Sequence, residues 1–275
     1  MKRKKNLYGW LVLIVLLIGA VVVLFPIFVM ISMSFKQQNE IYSKTFTLFP
    51  SAPTLGNYIV GWQEGGFNKY FLNSVFVTSV RVVFTVVINA MSGFAFAKYE
   101  FRGKGFLFMI VLAAMMIPDQ LRMIPLYSMM HSLGWINSFA SIIFPGLGAT
   151  FGTFLMRQYS QTLPDEIIEA ARIDGCGDLR IFARIAMPLC MPALITNVIF
   201  QFMWGWNDFL YPLLFLRDES KYTVQLALSI FRNSDTVTAG PIMAMSLLSA
   251  VPILVVFFSL QKYFVAGIAM HGVKG

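Results

Sequence analysis

The chain has 275 residues, of which 57% are hydrophobic and only 12% are charged, and its formal net charge is +8. Soluble domains usually contain about 25% charged residues, so this composition argues against a soluble protein and favours a surface that faces lipid. The basic residues lie in short segments between long apolar runs, which excludes the continuous basic stripe of a nucleic-acid-binding surface. Cys176 and Cys190 give neither a disulfide framework nor a metal-ligand spacing, and we expect free thiols.

The first apolar segment runs from about Leu7 to Ser34, directly behind the basic MKRKK. A cleaved signal peptide is the alternative interpretation. Its apolar region usually has about 7–15 residues and is followed by a small-residue cleavage site. This stretch is longer and no such site follows, so we predict a retained membrane span.

Five further segments are long enough to cross a hydrocarbon core, which takes about 20 mostly apolar residues. They cover about residues 71–97, 105–130, 137–156, 189–210 and 239–261. The sequence therefore predicts an all-α membrane protein with six transmembrane helices, which form a single transmembrane domain over residues 1–275.

The basic residues predict the orientation of these spans. With both termini cytoplasmic, the inner segments hold roughly twice as many Lys and Arg residues as the outer ones. The short connection after the second span shows this bias most clearly, with Lys98, Arg102 and Lys104. Two long connections then lie outside, from about Phe35 to Tyr70 and from about Arg217 to Thr238; they suit contact with an external partner or merely link spans.

The long cytoplasmic loop, residues 157–188, has the pattern of two short helices. Pro164 followed by acidic residues is a helix-start signal, and Gly175 suits a C-terminal cap. Asp178 is expected to cap a second helix that ends before Pro188. The loop is therefore predicted to be a helical hairpin with a glycine bend.

One face of this hairpin is apolar, and we expect Ile167, Ile168, Ala171 and Ile173 to be buried. Ala170 and Ala171 are small and permit close approach by another surface. From the residues alone, two roles remain open: a docking element for a cytoplasmic partner, or an amphipathic hairpin on lipid headgroups.

The loop resembles the EAA loop of ABC-importer permeases. The EAA sequence at 169–171 is followed after three residues by Gly175, after nine more by Ile185, and then by Met187 and Pro188. This reproduces the family spacing, and the one departure is Met187 where the family has leucine, a volume-conserving exchange.

Segments along nearly the whole chain resemble the smaller permease of the carbohydrate-importer branch, the type that includes the maltodextrin system. These segments are PTLGNY at 53–58, NSVFVTS at 73–79, IPLY at 124–127, FLMRQYSQTLPDEIIEAARIDG at 154–175 and WNDFLYPLLF at 206–215. Asp119 and Arg122 lie where the family is more often uncharged, so the resemblance assigns them no role. It implies the type I ABC importer permease fold, in a prokaryotic cytoplasmic (inner) membrane.

The resemblance also implies a mechanism, in which the EAA loop docks into a cleft of a separate ATP-binding subunit. The coupling residues carried over are Glu169, Ala170, Ala171, Arg172, Asp174 and Gly175. The implied partners are two ATP-binding cassette subunits, a second homologous permease, and an extracytoplasmic sugar-binding protein or lipoprotein that meets the outer loop at 217–238.

We expect neither a cofactor nor an enzymatic activity in this chain. Its single Gly-Lys pair, Gly103-Lys104, lacks the upstream glycine and the following Ser or Thr of a phosphate-binding loop. His131 and His271 have no cluster of Cys or carboxylate residues near them in sequence. ATP hydrolysis must then come from a partner.

Polar residues within the spans are candidate pathway residues, because charges near mid-bilayer are costly. Arg81 either faces the pathway or forms a buried pair that holds the bundle together, whereas Asp119 and Arg122 are expected to neutralise each other. The fifth span combines hydrogen-bonding and flat aromatic groups that suit a sugar, although its tryptophans are equally typical of an interfacial belt. The candidates there are Asn197, Gln201, Trp204, Trp206, Asn207 and Asp208.

The resulting hypothesis is a permease that forms half of the pathway of a sugar or oligosaccharide importer. An ABC permease for another cargo, such as a glycerol phosphodiester, an oligopeptide or a polyamine, is the first alternative. A self-contained channel or ion-coupled carrier is the second, and it predicts an inverted repeat or paired broken helices, neither of which is clear in the sequence.

Overall fold

The computed structural model describes residues 2–232 and 238–272, and the regular secondary structure in these residues is helical. Part of the predicted outer loop, 233–237, and the side chain of His271 lie outside the described residues. In chain order the helices are α1 (Lys2–Ser34), α2 (Phe67–Lys98), α3 (Lys104–Met115), α4 (Asp119–Ser132), α5 (Ala140–Leu147), α6 (Thr150–Ser160), α7 (Asp165–Ile173), α8 (Asp178–Leu189), α9 (Met191–Trp206), α10 (Leu210–Phe215), α11 (Val224–Arg232) and α12 (Ala239–Gly272). Short helical turns lie at Gln38–Ile41, Gly56–Ile59, Val60–Glu64 and Glu219–Lys221.

Three of the described helices are long and apolar enough to cross a membrane: Tyr8–Ser34 in α1, α2, and Ala239–Lys262 in α12. The number rises to five if each bent pair counts as one span, namely α3 with α4, bent by 104°, and α8 with α9, bent by 84°. The chain is thus an all-helical protein with several apolar spans, and the count of six stays a prediction.

Proline and glycine explain why two of the predicted spans are broken. Pro118 follows the end of α3, and the residue before a proline is disfavoured in a helix. The predicted span at 137–156 consists of α5 and α6, which are separated at Gly148 and Ala149 behind Pro145 and Gly146. A proline–glycine sequence of this kind weakens a continuous helix.

The chain divides into two compact units, residues 1–68 with 227–251, and residues 69–226 with 252–275. In the first unit, the PTLGNY segment closes the end of α1. The Asn57 side chain donates hydrogen bonds to the carbonyl oxygens of Ser34 (2.9 Å) and Lys36 (2.8 Å). These bonds satisfy carbonyls at a helix end that lack an intrahelical partner, so Asn57 fixes the exit of the chain from α1.

In the second unit, Asn137 organises a loop formed by residues 216–223. Its backbone φ of 62° lies in the left-handed region, which asparagine tolerates better than most residues. The Asn137 Oδ1 accepts hydrogen bonds from the backbone N–H groups of Arg217 and Asp218, both at 3.1 Å. Its Nδ2 donates to Asp218 Oδ2 at 2.6 Å, and this bond lowers the pKa of Asp218 below its usual value.

Replacing Asn137 with alanine is expected to lower the free energy of unfolding by about 2–3 kcal/mol, because the left-handed backbone becomes strained and the side-chain bonds are lost. Asn137→Gly removes the same bonds without the strain and should lose about half as much. Thermal unfolding of the purified protein distinguishes them. Equal losses for both variants would show that backbone conformation contributes nothing at this position.

Candidate functional sites

The cytoplasmic hairpin, residues 157–188, begins and bends where the sequence predicts. Helix α7 starts at Asp165 directly after Pro164 and ends before Gly175, whose φ is 77°. The N–H of Gly175 donates to the carbonyl of Arg172 (3.0 Å), and the N–H of Cys176 donates to that of Ala171 (2.9 Å). This pair of bonds is a Schellman motif, which requires a left-handed residue at the bend.

Two predictions about the second hairpin helix are wrong. Gly177 occupies the capping position and Asp178 is the first helical residue, with no side-chain cap bond. The helix does not end before Pro188 but continues to Leu189, and the chain turns at Cys190. A π-helical turn at 182–186 precedes Pro188, which thereby occupies the first turn of the next segment, where a missing N–H is tolerated.

The inner face of the hairpin packs into a hydrophobic core within the second unit. Ile168, Ala171 and Ile181 are buried there, together with Phe94 of α2 and Met156 of α6. Burying an aliphatic side chain contributes about 1.5–3 kcal/mol, so these contacts hold the hairpin firmly against two helices.

Polar contacts fix the hairpin to the end of α2. The Lys98 ammonium donates to the carbonyl of Leu163 (2.5 Å) and to Asp165 Oδ1 (2.6 Å).

A second group of contacts involves Arg172. Its side chain lies 3.5 Å from Asp178 and 5.5 Å from the centre of the Tyr99 ring. Burial and a hydrogen bond with Asp178 raise the pKa of Tyr99. Sequence analysis missed Lys98 and Tyr99 in this role, because no local pattern connects them to a loop that begins about sixty residues later in the chain.

The outer face of the hairpin is open. Ile167 and Ile173 were predicted to be buried but are 40% and 86% exposed, and Ile173 lies on the side of α7 opposite Ala171. Leu179 at the start of α8 is 72% exposed. Of the predicted coupling residues, Ala171 is buried in the core, and the others are exposed: Glu169, Ala170, Arg172, Asp174 and Gly175.

A cavity of about 590 Å³ lies within the second unit where three helix breaks meet. Its walls come from the α3–α4 bend, the α5–α6 break and the segment after α9, with Arg81 contributed by α2. Among the predicted pathway residues, Arg81, Trp204 and Asp208 line this cavity. Non-helical backbone at membrane depth is tolerated where it lines a cavity, so the breaks and the cavity belong together.

Arg81 and Asp208 form a buried ion pair on the cavity wall. Arg81 Nη1 lies 2.9 Å from Asp208 Oδ2, and each side chain is about nine-tenths buried. Asp208 Oδ1 also accepts a hydrogen bond from the N–H of Tyr211 (3.2 Å), and Arg81 Nε has no hydrogen-bond partner. Gly146 makes room for the guanidinium, since a Cβ there would collide with it.

The other candidates from the fifth span lie elsewhere. Asn197 and Gln201 are fully buried in a polar cluster with Asn89 and Thr153. Gly152 permits this cluster, because a Cβ there would collide with the amides of Asn89 and Asn197. Trp206 is buried in the protein and not placed as an interfacial ring, and Asn207 is exposed and accepts a hydrogen bond from Gln225 (3.2 Å).

Comparison with known proteins agrees with this architecture. The model of the family described as "Binding-protein-dependent transport system inner membrane component" matches residues 89–270. An arabinooligosaccharides transport system permease, AraQ of Halalkalibacterium halodurans, is 37% identical over 100% of both chains. An sn-glycerol-3-phosphate transport system permease, UgpE of Salmonella typhi, is 30% identical and is covered over 93% of its length, with 92% of this chain aligned.

A solved structure gives the same result at the level of the fold. A chain of a bacterial ABC transporter involved in the import of the acidic polysaccharide alginate superposes with a TM-score of 0.86 and 26% identity, covering 95% of this chain and 98% of that one. The type I ABC permease fold predicted from the sequence is thereby confirmed. The chain is a member of the binding-protein-dependent transport system inner membrane component family, a multi-pass transport subunit.

Proposed function

We propose that this chain forms half of the translocation pathway of a carbohydrate importer and couples that pathway to ATP hydrolysis in a separate subunit. The exposed Ala170 and Ile173, on a hairpin whose opposite face is packed into the core, carry this proposal. Small and apolar exposed side chains on a rigid support suit a cleft of a partner protein better than a solvated surface.

The proposed assembly contains a second permease, two ATP-binding cassette subunits and an extracytoplasmic binding protein. In it, residues 1–275 form a single domain of six spans in the prokaryotic cytoplasmic membrane, with both termini inside. The charge bias of the connecting segments supports this orientation, as does the family to which the chain belongs. The proposed coupling surface comprises Glu169, Ala170, Arg172, Asp174 and Gly175 together with the exposed Ile173, and Ala171 supports it from behind.

The names of the relatives support a carbohydrate cargo: one is an arabinooligosaccharide permease, and the solved structure comes from an importer of a polysaccharide. Glycerol phosphate or a related phosphodiester is the second candidate, since a permease for glycerol 3-phosphate aligns over most of the chain. Arg81 and Arg122 on the cavity wall are the groups that would favour such an anion.

Site-specific crosslinking tests the coupling surface. In a variant without Cys176 and Cys190, a thiol at the exposed Ala170 or Ile173 should capture an ATP-binding subunit in membranes. A thiol at the buried Ile168 is the matched control and should capture none. Crosslinks that are equally weak at all three positions, or labelling of Ala170→Cys from outside the cell, would contradict the proposal.

A further inference from the structure

The cavity at the three helix breaks is lined by equal numbers of opposite charges, and all of them are already paired. Arg81 contacts Asp208, and Arg122 contacts Asp119 one helical turn away. The four charged residues that line the cavity therefore sum to zero. Asp119 and Arg122 were interpreted from the sequence as merely neutralising each other, whereas the structure places both on the wall of this cavity.

Aromatic rings and one unpaired donor complete the lining. Phe151 meets Trp204 edge to face, with 5.4 Å between ring centroids, and Trp204 is 44% exposed. Tyr211 lies beside the carboxylate of Asp208. Arg81 Nε is buried without a hydrogen-bond partner, and a buried donor of this kind is destabilising unless a ligand or water accepts its hydrogen.

From this lining we infer that the cavity binds an uncharged polyhydroxylated segment of the cargo, in preference to a phosphate or a carboxylate sugar. The inference rests on the proposed carbohydrate import and specifies the cargo class at a site on this chain. Its volume of about 590 Å³ lies within the range of about 300–1,000 Å³ that small-molecule sites have.

The pairing of the charges decides between a neutral and an anionic occupant. Sugar hydroxyls donate to the oxygens of Asp208 and Asp119 and accept from guanidinium nitrogens, and neither ion pair has to break. A phosphate or carboxylate that binds either guanidinium comes close to the carboxylate that this guanidinium already contacts, Asp208 or Asp119. Because the four charges of the lining sum to zero, no excess positive charge offsets this repulsion, and the lining disfavours anions. The flat faces of Trp204 and Phe151 suit the apolar side of a sugar ring.

A gain-of-affinity variant provides the test. The permease complex with its ATP-binding subunits, in lipid nanodiscs and without the binding protein, is titrated with a neutral trisaccharide (maltotriose) and an acidic one (trigalacturonate) by saturation-transfer NMR. The wild-type complex should bind the neutral probe at least about tenfold more tightly. Asp119→Asn frees Arg122 and should raise the affinity for the acidic probe about tenfold, a result that misfolding cannot imitate.

Two further variants control this experiment. Arg122→Gln removes the cation instead and should leave the acidic probe excluded, because Asp119 then stands on the wall as an unpaired carboxylate. Glu100→Gln makes the same carboxylate-to-amide change at an exposed position outside the cavity and should leave the affinities for both probes unchanged.

Three outcomes would overturn the inference: equal wild-type affinities for the two probes, an Asp119→Asn variant without increased acidic binding, or no binding of either probe. ATP-driven uptake of a neutral oligosaccharide is measured in parallel with the binding protein present. Uptake tests the proposed function alone, so its loss would contradict that function, and normal uptake without probe binding at the cavity would contradict only the inference.

Discussion

Replacing Ala170 with tryptophan is expected to abolish ATP-driven uptake while the thermal stability of the protein stays unchanged. Ala170 is exposed on the outer face of α7, so a large ring there displaces nothing within the chain. In the proposed complex the same ring fills the space that the ATP-binding subunit needs, and overpacking an interface costs about 1–3 kcal/mol or more. Uptake should therefore fall about tenfold or further, and cargo should no longer stimulate ATP hydrolysis.

Two alanines serve as matched controls for this prediction. Ala171→Trp inserts the same ring into the core beside Ile168 and Met156, and it should lower the thermal stability together with uptake. Ala52→Trp, at an exposed position between α1 and α2, should leave both properties unchanged. Coupled uptake by Ala170→Trp at the wild-type rate would place the docking surface elsewhere. The sequence analysis assigns both alanines to the coupling element, and the structure shows that Ala171 lies in the core while Ala170 is exposed.

Local chemistry explains which features of the hairpin could be predicted. The start of α7 and the bend at Gly175 depend on neighbours within a turn or two, since Pro164 takes an extended conformation directly before acidic residues that favour a first turn, and glycine favours a positive φ. Ile173 lies two residues after Ala171, so helical spacing already places these two side chains on opposite sides of α7, and the prediction that both are buried was inconsistent with a single buried face. The continuation of α8 through Pro188 depends on a π-helical turn, which has no simple sequence signature.

The candidate pathway residues illustrate the same limit over longer distances. A charge at Arg81, within an apolar run, predicts a partner, but Asp208 lies 127 residues away, and nothing in the sequence selects it. The polar residues of the fifth span were grouped by composition, yet Asn197 and Gln201 turn into a buried cluster while Trp204 and Asp208 line the cavity. Asn137 gave no signal, because its importance comes from a left-handed backbone and from a loop about eighty residues later.

Removing one member of the buried ion pair is expected to have the largest effect on stability. Arg81→Met leaves the Asp208 carboxylate about nine-tenths buried without its cation, and breaking a buried pair in this way costs about 3–5 kcal/mol. The purified Arg81→Met protein should therefore unfold at a clearly lower temperature than the wild type. An unchanged unfolding temperature would show that water reaches Asp208 and that the pair is not energetically buried.

The double variant Arg81→Met with Asp208→Asn separates structural support from contact with the cargo. Asparagine removes the orphaned charge but keeps the oxygen that accepts the N–H of Tyr211, so about half or more of the lost stability should return. If the pair only holds α2 against the segment after α9, uptake recovers together with stability. If hydroxyl groups of the cargo bind this pair, as the paired lining of the cavity indicates, uptake stays low in a protein that is stable again. We expect the second result, because a neutral methionine and amide cannot replace the charge-assisted bonds that Arg81 and Asp208 offer.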